Sequence, residues 1–305
     1  MKQNEKLFKQ LQDVMDTTNI KVDEPMKSHT YFKVGGLADI FVTPENVEEV
    51  QAIINICTEN KVDYYLIGNG SNLLVRDGGI RGVVIKLTNL NKIEVEGNKI
   101  IAQSGARLYN VTKLALDEGL SGIEFASGIP GSIGGASAMN AGAYDGEMSM
   151  VLESMLAIDN NGELITLTNG EMELTYRSSA ILKHGYTVVQ VKLNLHEGDK
   201  EAIKARMDIL AQRRSDKQPL EYPSAGSTFK RPEGHFAGLL IQECGLKGTY
   251  VGGAQVSEKH SGFIINRKNA SAKDILDLIV LVQQEVEKKF GVQLQTEVKV
   301  WGEEA

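Results

Sequence analysis

Glycine is distributed unevenly along this chain, and this distribution limits what the chain can fold into. Eight of the 28 residues from Gly119 to Gly146 are glycine, although the whole 305-residue chain contains only 31. Glycine weakens helices and strands, but it adopts positive φ angles and lets a ligand or a second backbone approach closely. This segment is therefore predicted to be rich in loops that either surround a ligand or pack backbone against backbone.

Two glycine-containing loops have the composition of phosphate-binding loops. The first, Gly68-Asn69-Gly70-Ser71-Asn72, follows a predicted strand, but Leu73 occupies the position of the third glycine of a dinucleotide fingerprint. The second, residues 128–135, reads Gly-Ile-Pro-Gly-Ser-Ile-Gly-Gly. Two such loops can hold a pyrophosphate from two sides through backbone N–H groups. Plain turn packing is the alternative, and the spacing does not identify a dinucleotide.

Helical and strand patterns are mixed without strict alternation, which is typical of the α+β class. Periodicity predicts helices at residues 7–15, 47–57, 108–115, 201–210 and 275–286. The second is expected to begin at Thr43-Pro44, and the last at a capping box of Ser271 and Asp274. Strands are predicted at residues 39–42, 64–67, 83–87, 186–195 and 292–300, with a strand and turn at 31–36. Hairpins are predicted to pair 92–95 with 99–102 and 156–158 with 164–167.

Charge and cysteine content narrow the classes of function. The net charge of −7 argues against a generic nucleic-acid binder, although a local basic patch could still bind an anionic small molecule. Cys57 and Cys244 match no disulfide framework or zinc spacing, which favours a reducing compartment. The N-terminal residues lack the apolar stretch of a secretory signal, and no apolar run is long enough to span a membrane, so a cytoplasmic protein is expected.

The five histidines give little support to metal catalysis. They are scattered along the chain and form no pair with the spacing of metal ligands on a helix. They are His29, His184, His196, His235 and His260.

Three long motifs together resemble the UDP-N-acetylenolpyruvoylglucosamine reductase family. They are residues 29–36 (His-Thr-Tyr-Phe-Lys-Val-Gly-Gly), residues 67–74 around the first glycine loop, and residues 128–135. The motifs occur in the family's order along nearly the whole chain, and the length fits the shorter class of the family, without an extra substrate-closing loop.

The resemblance implies an α+β architecture in three parts. Residues 1–97 and 98–204 would form the two subdomains of an FAD-binding fold of the vanillyl-alcohol-oxidase (PCMH) type, followed by a C-terminal α+β substrate domain at 205–305. FAD would be bound without a covalent link, because residues 68–74 contain neither His nor Cys. The implied cofactor-binding residues are Gly68, Asn69, Gly70, Ser71, Asn72, Gly128, Ile129, Pro130, Gly131, Ser132, Gly134 and Gly135.

The implied reaction is the reduction of UDP-N-acetylglucosamine enolpyruvate to UDP-N-acetylmuramate in peptidoglycan precursor synthesis, which serves cell-wall biogenesis, cell shape and cell division. NADPH would be the co-substrate, and reduced flavin would deliver the hydride. Ser227 matches the serine that donates the proton, with Ser224 as its rival, whereas Arg177 and Glu297 match the residues at the enolate. The residues alone favour ordinary structural positions for these three, as a turn serine, a turn arginine and a solvated strand carboxylate.

A basic stretch near Ser227 provides candidate contacts for the substrate. Lys217 and Lys230 match family positions near the substrate, whereas Arg231 stands where some members have Asn. The expected partners are the UDP-sugar and NADPH, with a monomer as the expected state. An alcohol oxidase of the same fold and a nucleotide-binding module without catalysis are the alternatives.

Overall fold

A computed structural model describes residues 2–305 of the chain. Within them, the α-helices are α1 (Lys2–Gln12), α2 (Val47–Glu59), α3 (Leu108–Asp117), α4 (Ile133–Ala138), α5 (Ala180–His184), α6 (Lys200–Lys217), α7 (Ala237–Glu243) and α8 (Ala272–Phe290). The strands are β1 (Ile20–Pro25), β2 (Leu37–Val42), β3 (Tyr64–Ile67), β4 (Leu73–Val75), β5 (Ile80–Lys86), β6 (Ile93–Glu96), β7 (Lys99–Gln103), β8 (Leu120–Ser121), β9 (Gly142–Ala143), β10 (Gly146–Glu147), β11 (Leu152–Ile158), β12 (Leu164–Thr168), β13 (Thr187–Asn194), β14 (His196–Glu197), β15 (Tyr250–Val251), β16 (Ala254–Val256), β17 (Ile264–Asn266) and β18 (Lys299–Trp301). Short 3-10 turns lie at Thr17–Asn19, Met26–Ser28, Leu87–Asn89, Glu124–Ala126 and Met148–Met150. This mixture of helices and strands confirms the α+β class.

The chain divides into two compact units that are not continuous in sequence. Unit 1 contains Met1–Val22, Ile40–Asn69 and Gly82–Arg214, and unit 2 contains Asp23–Asp39, Gly70–Arg81 and Ser215–Ala305. None of the helices within residues 2–305 combines the length and the apolar character needed to cross a bilayer.

Unit 1 has two hydrophobic cores. The first joins α1 and α2 to strands of a sheet with the order β1, β2, β5, β3, in which β3 and β5 run parallel. The second packs α3, α4 and α5 against a five-stranded sheet with the order β12, β11, β13, β7, β6, whose pairs are antiparallel. The glycine-rich segment belongs to this second core, which buries Ile133 and Ala136 of α4.

Unit 2 is built around the long helix α8. Its core joins the inward face of α8 to α7 and to the antiparallel sheet β15, β16, β17, and Phe32 is buried in it. The predicted capping box begins α8: the Ser271 hydroxyl accepts from the Asp274 N–H at 3.0 Å, and the Asp274 carboxylate accepts from the Ser271 N–H at 3.0 Å. Strand β4 pairs in parallel with β18, so that Leu73 lies opposite Lys299.

The two predicted hairpins are confirmed, and a glycine lies just beyond the end of α3. Strands β6 and β7 pair around Gly97-Asn98, and β11 pairs with β12. Gly119 follows the end of α3 with a φ of +69°, a left-handed conformation that suits glycine.

Three local predictions are wrong at their boundaries. Helix α2 begins after Asn46 rather than at Thr43-Pro44, because the Asn46 side chain accepts from the Glu49 N–H at 2.8 Å and caps the helix. Residues 31–36 contain the expected turn but no strand, because Lys33 and Gly35 have positive φ angles that no regular strand accommodates. Residues 292–300 alternate in burial, but the regular strand covers only Lys299–Trp301.

Candidate flavin-binding and catalytic site

The two glycine loops meet in unit 1, where Gly68 lies against Ser132. A Cβ atom built on Gly68 would lie 2.2 Å from Ser132 Oγ, a distance that no side chain at position 68 can tolerate without movement. Ser132 is buried and caps α4, since its hydroxyl accepts from the Gly135 N–H at 3.4 Å. The beginning of the first loop therefore contacts the second loop, as two loops that hold one pyrophosphate must.

The adjacent glycines Gly134 and Gly135 of α4 have different surroundings. Gly134 is buried, donates its N–H to the Ser104 carbonyl at 2.9 Å, and has room for no Cβ, because that atom would lie 2.5 Å from Ser104 Cβ. Gly135 is exposed, and the nearest atom to its Cβ position is Ser132 Oγ at 3.4 Å. The first glycine thus permits packing, whereas the second leaves open space beside the loop.

Arg214 lies in unit 1, buried beside Gly128 of the second loop. A Cβ atom on Gly128 would lie 2.8 Å from Arg214 Nε, and this Nε atom makes no hydrogen bond within the described residues. Burial lowers the pKa of the guanidinium from its ordinary value, an effect that Tyr144 partly opposes. Tyr144 is itself held by a hydrogen bond to the Leu210 carbonyl at 3.1 Å. The sequence showed a basic stretch here, and the structure adds that Arg214 within it is buried.

The second half of the first loop belongs to unit 2. Gly70 has a φ of +65°, and its carbonyl accepts from the Tyr31 N–H at 3.1 Å. The Asn72 side chain donates to the Glu297 carbonyl at 3.1 Å. Asn72 therefore connects the loop to the segment that carries a candidate catalytic residue, a contact between residues 225 positions apart that no local pattern could predict.

Arg177 lies at the tip of a tight turn in unit 1. Thr175 and Ser178 exchange two backbone hydrogen bonds of 3.1 Å, and Arg177 between them has a left-handed φ of +55°. Its guanidinium stacks 4.8 Å from the centroid of the Tyr176 ring and donates to the Asn140 carbonyl at 3.5 Å. A strained backbone at a half-buried arginine is more typical of a functional site than of an ordinary surface turn.

Asn140 supports this turn, although no sequence motif indicated a role for it. Its carbonyl accepts from Arg177, its side-chain amide donates to the Thr175 carbonyl at 3.3 Å, and its side-chain oxygen accepts from the Ser149 N–H at 2.8 Å. The residue is buried and has a φ of +40°. The only local signal was an asparagine, a residue tolerant of positive φ, two positions after the small residues 134–138.

Ser227 and Glu297 lie on neighbouring backbone segments of unit 2. The Glu297 N–H donates to the Thr228 carbonyl at 2.8 Å, and Phe229 forms an antiparallel bridge with Thr296. Ser227 is exposed, and Glu297 is half-buried, in contrast to the exposed Gln295 and Lys299 two positions away on either side. Gly226 precedes Ser227 with a φ of +75°, which fits the tight backbone expected there.

The remaining candidates in unit 2 are Lys217, Lys230, Arg231 and Ser224. Lys217 is exposed at the end of α6, and Lys230 donates its backbone N–H to the Gln295 carbonyl at 2.8 Å. The side chain of Arg231 stacks 4.1 Å from the centroid of the Phe236 ring, and the rival serine, Ser224, is half-buried.

Comparison with known proteins first defines the class. The family model described as an FAD binding domain matches residues 38–168, the part of the chain that contains both glycine loops. The chain is therefore an FAD-binding flavoprotein, and the expected FAD-binding domain is confirmed.

The C-terminal part and the full-length relatives then define the family. The model for the C-terminal domain of UDP-N-acetylenolpyruvoylglucosamine reductase matches residues 218–301. The reductase of that name from Clostridium novyi is 58% identical over 305 residues, which are 100% of this chain and 99% of the relative. The one from Clostridium botulinum strain Hall is 57% identical over 304 residues, which are also 100% of this chain and 99% of the relative. The chain belongs to the UDP-N-acetylenolpyruvoylglucosamine reductase family.

A solved structure agrees with this assignment. The crystal structure of the UDP-N-acetylenolpyruvylglucosamine reductase from Thermus caldophilus has a TM-score of 0.80 and 36% identity, and the match covers 93% of this chain and 100% of that one. The resemblance stated from three motifs is thus confirmed over nearly the whole length.

The residues at the loops fit an FAD molecule. Glycine at positions 68, 128 and 134 leaves no room for a Cβ, so the backbone stays close to its neighbours, whereas the open side of Gly135 can accept a ligand. A buried guanidinium with an unpartnered Nε needs an anionic or carbonyl oxygen nearby, which FAD provides.

Proposed function

We propose that this protein reduces UDP-N-acetylglucosamine enolpyruvate to UDP-N-acetylmuramate in peptidoglycan precursor synthesis, consuming NADPH, in the cytoplasm. The observation that carries the proposal is the 58% identity to a reductase of this name along the entire chain, including both glycine loops and the C-terminal part. The domain organisation of the proposal is an FAD-binding pair of subdomains at 1–97 and 98–204 and a substrate domain at 205–305. A monomer is proposed as the functional state.

The glycine loops are proposed to hold FAD without a covalent link. Residues 68–72 and 128–135 would surround its pyrophosphate with backbone N–H groups, and Ser132 would keep α4 in register beside it. Arg214 would donate from its unpartnered Nε to an oxygen of the cofactor. When bound, FAD supplies the chemistry that carries a hydride from NADPH to the vinyl carbon of the sugar.

Arg177 is the proposed cation at the substrate carboxylate. Reduction of the enol ether builds negative charge on that carboxylate, and a planar guanidinium can donate two parallel hydrogen bonds to it. The tight turn and the Asn140 carbonyl support the role, because they hold the guanidinium in one orientation before the substrate arrives.

Ser227 is the proposed proton donor to the carbon next to the carboxylate. An alcohol is a weak acid, so this role needs a prearranged neighbour, and the backbone pairing of Thr228 with Glu297 supports one. Glu297 would orient Ser227 or, when its carboxyl group is protonated, join Arg177 in stabilising the enolate. Lys217 and Lys230 would contact the anionic part of the UDP-sugar.

The two half-reactions can be separated to test the proposal. In a rapid-mixing experiment without oxygen, NADPH should bleach the yellow flavin of wild type and of Ser227→Ala at similar rates. The enolpyruvyl sugar should then restore the colour rapidly in wild type but about 100-fold or more slowly in Ser227→Ala, since general acid catalysis contributes at least that factor. Ser224→Ala is the matched control and should behave as wild type.

Each alternative has its own outcome in this experiment. Normal turnover by Ser227→Ala would reject the proton-donor role, and loss in Ser224→Ala alone would transfer that role to Ser224. A flavin reduced by an alcohol, with oxygen and without NADPH, would favour an oxidase. A protein that binds nucleotide but never bleaches would favour a module without catalysis.

A further inference from the structure

The backbone around Glu297 in unit 2 is not part of a regular strand. Thr296, just before it, forms a single bridge with Phe229, and strand β18 begins only at Lys299. Val298 is buried in the core of unit 2. Because no strand ladder includes Glu297, the orientation of this residue depends on individual hydrogen bonds to its backbone.

Two such hydrogen bonds hold the peptide groups on either side of the Glu297 side chain. The Glu297 N–H donates to the Thr228 carbonyl at 2.8 Å, and the Glu297 carbonyl accepts from the side-chain amide of Asn72 at 3.1 Å. One bond fixes the N–H and the other fixes the C=O, so together they restrict the φ and ψ angles of Glu297. The direction in which the carboxylate leaves the backbone is restricted with them.

Asn72 is itself held in place by the same part of the chain. Its own carbonyl accepts from the Lys299 N–H at 3.1 Å, and Leu73, the next residue, is buried and lies opposite Lys299 in the ladder of β4 and β18. Asn72 therefore contacts residue 297 through its side chain and residue 299 through its backbone. Backbone N–H groups of this loop are the proposed partners of FAD, so cofactor binding and the side-chain bond to Glu297 use different atoms of the loop.

We propose that Asn72 is a positioning residue, whose side-chain amide holds Glu297 in the orientation needed for proton transfer to the substrate. The inference rests on the proposed function for the role of Glu297. Asn72 acts through Glu297 rather than on the reacting atoms. A misplacement of about 1 Å can cost about 100-fold in rate, so the loss of one of the two backbone bonds is expected to cost about tenfold.

Three single variants are needed for the test. Asn72→Ala removes the donor without adding a charge beside the loop proposed to hold FAD. Asn72→Asp keeps the shape of the side chain and loses the donor when it is ionised, so it should show the same pattern. Asn91→Ala is the matched control, because the Asn91 amide also donates to a backbone carbonyl, that of Thr88 at 3.2 Å, at an exposed position in unit 1.

Rapid mixing without oxygen, at saturating FAD, separates the two half-reactions. NADPH should bleach the flavin of all three variants at the wild-type rate, because Glu297 is proposed to act only with the sugar. The enolpyruvyl sugar should then restore the colour about tenfold more slowly in Asn72→Ala and Asn72→Asp than in wild type, whereas Asn91→Ala should match wild type. An unchanged rate of reoxidation in both Asn72 variants would overturn the inference.

A double-mutant cycle with Glu297→Gln shows whether Asn72 acts through the carboxylate. This substitution keeps the backbone carbonyl that Asn72 binds but removes the ionisable group. In the Glu297→Gln background, Asn72→Ala should change the rate of reoxidation by less than about twofold, since there is no carboxylate left to misplace. A tenfold fall in both backgrounds would mean that Asn72 acts independently of Glu297, and it would overturn the inference.

Amide hydrogen exchange in the FAD-free protein tests the contact without any reaction. The Glu297 N–H should exchange about tenfold faster in Asn72→Ala than in wild type or Asn91→Ala, whereas the amides between β11 and β13 in unit 1 should be unchanged. Equal acceleration along the whole chain would indicate a general loss of stability and would contradict a positioning role.

The proposed function and this inference fail in different measurements. A wild-type protein that does not reduce the enolpyruvyl sugar would reject the proposed function. The exchange rate of the Glu297 N–H would still decide whether Asn72 holds this residue in place.

Discussion

Replacing Gly134 by Ala tests whether the glycines of α4 serve packing or ligand access. The new Cβ would lie 2.5 Å from Ser104 Cβ and 2.9 Å from the Ser104 carbonyl oxygen, and no rotation of the Ser104 side chain relieves either contact. Overpacking of a buried site costs about 1–3 kcal/mol, whereas alanine in place of glycine gains about 1 kcal/mol in a helix. Both contacts are shorter than 3.0 Å, so the upper end of the overpacking range applies, and we expect a net loss of about 2 kcal/mol in the free energy of unfolding.

The neighbouring residue is the matched control. The Cβ of Gly135→Ala would meet only Ser132 Oγ, at an ordinary 3.4 Å, so the FAD-free protein should be as stable as wild type or gain up to about 1 kcal/mol. Its exposed side is where the cofactor is proposed to lie, so FAD affinity should fall about tenfold or more. The two adjacent glycines should thus affect different measurements.

Urea unfolding of the FAD-free proteins followed by circular dichroism, and FAD titration followed by flavin fluorescence, give these two quantities. A double-mutant cycle with Ser104→Gly adds a test of the contact itself. The Ser104 hydroxyl has no hydrogen-bond partner, so its removal breaks no bond, and the double variant should recover about 1 kcal/mol of the loss caused by Gly134→Ala. Equal stability of Gly134→Ala and wild type, or the absence of any such recovery, would refute the packing argument.

Two further predictions concern the Arg177 turn and the pH dependence of stability. Asn140→Ala removes the side-chain partners of the Ser149 N–H and the Thr175 carbonyl, so it should lower the free energy of unfolding by about 2 kcal/mol. It should also lower kcat without changing the rate at which NADPH reduces the flavin. If that reduction step slowed in proportion to kcat, a role of Asn140 at Arg177 would be contradicted. Hydrogen bonds from His184 and Lys183 hold the pKa of Glu173 at about 2, so its stabilising contribution is present above its ordinary pKa of 4.5 and is lost as the pH falls through about 2. The difference in urea midpoint between wild type and Glu173→Gln should therefore narrow between pH 4.5 and pH 2, and a constant difference would show that Glu173 does not contribute.

Local signals explain which parts of the fold could be predicted. A capping box and a hairpin each depend on residues within a few positions of one another, and the Ser271 capping box and the hairpin of residues 92–102 formed as predicted. The predicted start of α2 was wrong because the sequence offers two capping residues, Thr43 and Asn46, three positions apart. In the structure the Asn46 side chain makes the capping hydrogen bond, so the helix begins after Asn46.

The candidate site was predicted only in part for the same reason. The motifs identified the family and the residue types, since long runs such as residues 128–135 are distinctive in themselves. The supporting residue Asn140 lies outside any such signal. Its significance depends on its contacts with Arg177 and Thr175.

The sequence by itself determined that two glycine loops exist, that the class is α+β and that the family is one of flavin-dependent reductases. Tertiary structure alone decided that Gly68 lies against Ser132, that Arg214 is buried beside Gly128, and that Asn72 binds the Glu297 carbonyl. The physical reason is that composition and short-range spacing report backbone preference. In contrast, contacts between residues far apart in the chain depend on which hydrophobic faces pack together, and that packing is a property of the whole fold.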